Sequence, residues 1–113
     1  MATLKVEVTD AAPGGPVIVT IKGEAVVELE LLVSTLQRVS SAKPPRVVLD
    51  LEHLSFISSL AMGVMLAFRR AVQAEGGRVR IAAMQRLVLD SFKRARLDKV
   101  FEIFETLEGA LAA

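Results

Sequence analysis

Residues 54–68 read Leu54-Ser55-Phe56-Ile57-Ser58-Ser59-Leu60-Ala61-Met62-Gly63-Val64-Met65-Leu66-Ala67-Phe68, or LSFISSLAMGVMLAF. Two adjacent hydroxyls interrupt a long apolar run. A short β-branched stretch, Arg46-Val47-Val48-Leu49-Asp50-Leu51, precedes it and has the composition of a buried central strand. A turn through His53 and Ser55 would then lead into a helix from Ser59 to Glu75, closed by Gly76-Gly77. Serine is a favoured helix N-cap, so one of the two caps this helix. No Glu or Gln stands three residues beyond either serine, so there is no capping box. The same place suits a phosphate, because a helix N-terminus presents free N–H groups and the positive end of a dipole. From Leu60 to Phe68 no polar stripe appears. One side must face a sheet; the other is either buried as well or an exposed apolar surface of the kind that marks interfaces.

Outward from this stretch the pattern alternates between strand and helix. Leu4–Val8 alternates with period two, Pro13-Gly14-Gly15-Pro16 reads as a turn, and Val17–Ile21 is a β-branched strand broken by Gly23. The two strands read as a hairpin. Val26–Ser41 carries apolar residues at Val26, Leu29, Val33, Leu36 and Val39, a helical spacing stopped by Pro44-Pro45. Val79–Ala82 is a strand, Gln85–Ala95 a helix, Val100–Phe104 a strand, and Thr106 caps a short terminal helix. The predicted order is ββαβαβαβα. That is an α/β fold with a mixed, mostly parallel sheet, an N-terminal hairpin and about four helices, in one domain over 1–113. So few helices would cover one sheet face less completely than the other.

The totals exclude several functions. Of 113 residues 52% are hydrophobic, which is too apolar for a disordered chain. There is no cysteine and one histidine, His53, so neither thiolate chemistry nor a histidine metal cluster is expected, and no cofactor is implied. Formal net charge is +1. Arg69-Arg70, Arg78–Arg80 and Lys93-Arg94-Arg96 therefore read as solvated basic groups rather than a nucleic-acid surface. No signal peptide opens the chain and no run is long enough to span a bilayer, so a cytoplasmic protein without membrane insertion is expected. A Ser59/His53/Asp50 catalytic set lacks the Gly-x-Ser-x-Gly elbow, and no glycine loop cradles phosphate, so the chain is not read as an enzyme.

The order of elements, with Val48-Leu49-Asp50-Leu51-Glu52-His53-Leu54-Ser55-Phe56-Ile57-Ser58-Ser59 leading into Gly63-Val64-Met65-Leu66, resembles the STAS domain. This family includes bacterial anti-sigma factor antagonists and the cytoplasmic tails of sulfate transporters. Gly76-Gly77, Leu97–Phe104 and Thr106–Leu111 fit its C-terminal pattern. In the family the turn before the second helix commonly reads Asp-Ser-Ser-Gly or Asp-Ser-Thr-Gly. The residue after the Asp is phosphorylated by a partner kinase that is itself the anti-sigma factor. The resemblance puts Ser58 at the Asp position and Ser59 at the phosphoacceptor. Leu60 replaces the next hydroxyl residue, and Ala61 the glycine. Gly23-Glu24 fits the family's Gly-Glu-Leu-Asp turn, with Ala25 and Val26 in its last two positions, and Asp50 matches the strand Asp. The resemblance implies a partner surface of Gly23, Glu24, Ser58, Ser59, Leu60, Ala61, Met62 and Met65. Two roles follow. One is a regulatory module that binds an anti-sigma factor kinase and is switched at Ser59. The other is a constitutive scaffold in a lipid-transport ABC complex or a stress-signalling assembly, partnered by another STAS or ABC subunit. A homodimer is compatible with either.

Overall fold

The computed structural model describes residues 4–10 and 15–113. Strands β1 (Leu4–Asp10) and β2 (Val17–Ala25) form an antiparallel hairpin. The turn expected at Pro13–Pro16 lies partly outside the described residues. Helix α1 (Glu30–Ser41), strand β3 (Arg46–Asp50), strand β4 (Leu54–Ile57), helix α2 (Ser59–Ala74) and strand β5 (Arg78–Ala82) follow. Helix α3 (Arg86–Arg94), a 3-10 turn (Leu97–Lys99), strand β6 (Glu102–Phe104) and helix α4 (Leu107–Ala112) complete the chain. Six strands form one sheet in the order β1-β2-β3-β5-β6, with β4 on β2, and every pairing but the hairpin is parallel. This is the mixed α/β architecture expected.

Alternation along the strands sorts side chains between two faces. Val19, Ile21, Val47, Leu49, Val79 and Ile81 point into the main core, where α1, α2 and α3 bring Leu32, Leu36, Met65, Phe68, Val88 and Phe92. Each such fully buried side chain contributes about 1.5–3 kcal/mol. Phe92 meets Phe101 edge-on, with ring centroids 5.8 Å apart, which fastens α3 to the chain entering β6. On the opposite face, among the described residues, Val48 and Ala82 meet only Ala110 of α4 as a buried partner. The two faces are thus covered unequally.

Four expectations need correction. Residues 54–57 are a strand rather than part of a turn: Leu54 and Ile57 are buried, Ser55 and Phe56 exposed. Gly23 does not end β2. The strand bulges there, with Gly23 at φ 99°, and continues to Ala25. Helix α1 begins at Glu30, not Val26, because the Val26 carbonyl is held by a serine outside the helix. Arg80 is not on a solvated face; it is 7% exposed, in the middle of β5.

Candidate functional site

The site is assembled where β2 ends and α2 begins. Asp50, at the end of β3, accepts a hydrogen bond from the Glu52 backbone N–H through Oδ1 (3.2 Å), which turns the chain toward β4. β4 then runs parallel to the end of β2, pairing Leu54 with Gly23, Phe56 with Glu24 and Ile57 with Ala25. The Gly23 N–H donates to the His53 carbonyl (2.9 Å), and Ser55 Oγ donates to the Gly23 carbonyl (3.1 Å). Two segments separated by some thirty residues in sequence are thereby held side by side: Gly23-Glu24 and Phe56–Ser59.

Ser58 is the N-cap. Its backbone is extended (φ −88°, ψ 165°), and its Oγ accepts from the Ala61 N–H at 3.1 Å. The same hydroxyl donates to the Val26 carbonyl at 2.6 Å, and the Ser58 N–H donates to the Ala25 carbonyl at 2.8 Å. One side chain therefore caps α2 and ties it to the loop before α1. Replacing Ser58 by Ala removes the cap and leaves the Val26 carbonyl unmatched, so we expect a loss of about 2 kcal/mol in urea unfolding. Ser58→Thr, which keeps the hydroxyl, should recover most of it.

With Ser58 as the cap, Ser59 is the first helical residue and is exposed. Leu60 beside it is 59% exposed, and Phe56 is 45% exposed. Leu60, Gly63 and Ala67 form an outward-facing apolar stripe, which ends at Arg70. A cleft of about 510 Å³ opens next to Ser59, lined by Phe56, Ser59 and Met62 on one side and by Ser91 and Arg94 of α3, with Ala95 just beyond it, on the other. Arg94 donates to Ser91 Oγ at 3.2 Å, and exposed Leu87 lies one turn before Ser91 on α3.

The structure divides the expected partner surface. Gly23, Glu24, Ser58, Ser59 and Leu60 share one edge. Ala61 and Met65 are fully buried and Met62 is 7% exposed. They pack under α2 in the main core because helical spacing turns them toward the sheet, so a partner does not reach Ala61 or Met65. Ser91 and Arg94 line the cleft without having been expected in the site. They are distant in sequence from Ser59, and the one signal for them is a hydroxyl and a basic residue at i and i+3 on the α3 face. Asp50 bonds the Glu52 backbone, and no hydrogen bond among the described residues links it to His53 or Ser59. No described group of three or more His, Cys, Asp or Glu is placed to hold a metal, and no described helix is long and apolar enough to cross a membrane.

Known proteins match this arrangement along nearly the whole chain. An anti-sigma factor antagonist from Mycobacterium paratuberculosis superposes with a TM-score of 0.88 at 24% identity, over 97% of this chain and 92% of that one. The phosphorylated form of the Bacillus cell fate determinant SpoIIAA superposes at 0.74 with 18% identity, over 96% and 97%. The STAS domain of a Vibrio cholerae SulP transporter does so at 0.72 with 15% identity, over 91% and 82%. At these identities the likeness shows the shared fold. The family model for the STAS domain matches residues 5–110, and the chain belongs to the STAS domain family.

Proposed function

We propose that the chain is a non-enzymatic interaction module of the anti-sigma factor antagonist type, acting in bacterial transcription regulation in the cytoplasm. It binds a protein partner, an anti-sigma factor kinase, at the edge where α2 begins, and phosphorylation of Ser59 weakens that contact. One observation carries the reading: an exposed hydroxyl at the first position of α2, set between exposed Phe56 and Leu60 and beside the Gly23-Glu24 bulge of β2. Clustered exposed apolar side chains of this kind mark partner surfaces. A phosphate on Ser59 adds about −1.5 to −2 charges. The α2 dipole tolerates them, so the fold stays intact. The apolar surface does not: a partner closing over it would have to desolvate the phosphate. Solved relatives include both an anti-sigma factor antagonist and a phosphorylated form, in keeping with such a switch.

A second reading is the constitutive scaffold. It is favoured by the apolar Leu60 beside Ser59 and by a neutral serine at 58. Incubation with ATP and an anti-sigma factor kinase encoded nearby, followed by mass spectrometry, separates the two. We expect one phosphate on Ser59 and none on a Ser59→Ala chain. A partner that binds while Ser59 stays unmodified would transfer the chain to the scaffold role.

A further inference from the structure

Arg80 carries a charge into a place where charges are rare. It sits in the middle of β5, in register between Val48 of β3 and Glu102 of β6, on the thinly covered face of the sheet. Its Nη1 donates to the Ala110 carbonyl at 3.3 Å and to the Ala113 carbonyl, at the C-terminal end of α4. Nε lies 3.4 Å from Glu102 Oε2, and the guanidinium rests 5.8 Å from the centre of the Phe104 ring. Carbonyls at a helix C-terminus lack partners within the helix and carry the negative end of its dipole, so a cation there answers both needs.

Helix α4 has few other holds. Its six residues are too few for a helix stable by itself. Thr106 caps it, with Oγ1 accepting from the Gly109 N–H at 3.0 Å. Only Ala110 is fully buried, in a small cluster with Val48 and Ala82 that is separate from the main core; Leu107 and Leu111 are half-buried at its margin.

We propose that α4 is a strap that opens and closes over this face of the sheet while the strands and α1–α3 stay folded, with Arg80 as its latch. The closed state holds a guanidinium away from water. Opening returns it to solvent, which offsets part of the lost hydrogen bonding and keeps the opening cheap. The open state uncovers Val48, Ala82 and Phe104 as an apolar strip beside an Arg80 that keeps its Glu102 partner but has lost the α4 carbonyls. The strip lies on the sheet face opposite α2, so the Ser59 edge is undisturbed.

Native-state hydrogen exchange across a urea series, on the whole chain, tests the strap. We expect α4 amides to exchange through an opening with little urea dependence, about a hundredfold or more less protected than the β3 and β5 amides. Arg80→Met should speed α4 exchange by roughly tenfold to a hundredfold and leave the β3 and β5 rates in their order. Arg80→Lys, which keeps the charge but loses the fork, should fall between. If Arg80→Met unfolds the chain, Leu111→Ser loosens the hold of α4 on Val48 and Ala82 while changing no strand residue, and should speed α4 exchange alone. The proposal is overturned if α4 in the unsubstituted chain matches β3 and β5 in protection and urea slope. It is equally overturned if Arg80→Met, or Leu111→Ser in its place, leaves α4 exchange unmoved or slowed.

Discussion

Replacing Gly77 by alanine should cost about 3 kcal/mol or more and lower the melting temperature by roughly 10–20 °C, as read by calorimetry. The reason is a close approach of backbone to backbone. A Cβ on Gly77 would stand 2.5 Å from the Pro44 carbonyl oxygen and 2.7 Å from Val72 Cγ1. Neither neighbour can give easily. Pro44 is part of the Pro44-Pro45 stop between α1 and β3, and Val72 is buried in the core. Gly77 itself is fastened by its N–H to the Val72 carbonyl at 3.0 Å, while the Gly76 N–H bonds the Gln73 carbonyl at 2.9 Å. Those two bonds, with Gly76 at φ 84°, are a Schellman ending to α2. The added methyl therefore pushes the end of α2 away from the start of β3 and its neighbour β5. Gly63→Ala is the contrast. It lies inside α2, exposed, with nothing within 4 Å of its Cβ, so the same chemical change there should stabilise the chain by about 0.5–1 kcal/mol. A Gly77→Ala chain as stable as the Gly63→Ala chain would mean that the α2–β5 turn is looser than the packing around Pro44 implies.

The Gly76-Gly77 ending was legible because glycine there does one local job, and local jobs leave marks in sequence. The same holds for the Pro44-Pro45 stop, for the Thr106 cap and for the period-two and helical stretches that set the order of elements. What was hidden depends on partners far along the chain. Strand β4 is four residues long and buries only Leu54 and Ile57, so it shows no alternation; it is a strand because the end of β2 lies beside it. Val26 continues the apolar spacing of α1 yet stays outside the helix, since its carbonyl is taken by Ser58. Which serine caps and which is exposed could not be read from two adjacent identical residues. Arg80 looked like one more basic surface residue, and only the return of α4 across the sheet makes it buried. Met62 and Met65 belong to the partner surface that the resemblance implies, and residues 60–68 are apolar all round; the rotation of α2 turns both methionines toward the core and leaves Leu60 facing out.

That rotation yields the second large effect. Leu60→Glu should weaken binding of the protein partner by about a hundredfold, close to 3 kcal/mol in titration calorimetry, while moving the melting temperature by no more than about 2 °C. Leu60 is 59% exposed, so a carboxylate there stays hydrated in the free chain and loses that hydration only when a partner closes over it. The charge also lands next to Ser59, so the substitution imitates part of what phosphorylation of Ser59 would do. Met65→Ala reverses the pattern. Met65 is fully buried under α2, and its truncation should cost about 2–5 kcal/mol of stability while the fraction that remains folded binds with unchanged affinity. The pair separates a surface that meets a partner from a core that supports it. If Leu60→Glu binds as well as the unsubstituted chain while both remain folded, the partner does not sit on the start of α2. The interface would then have to be sought elsewhere, however exposed Ser59 is.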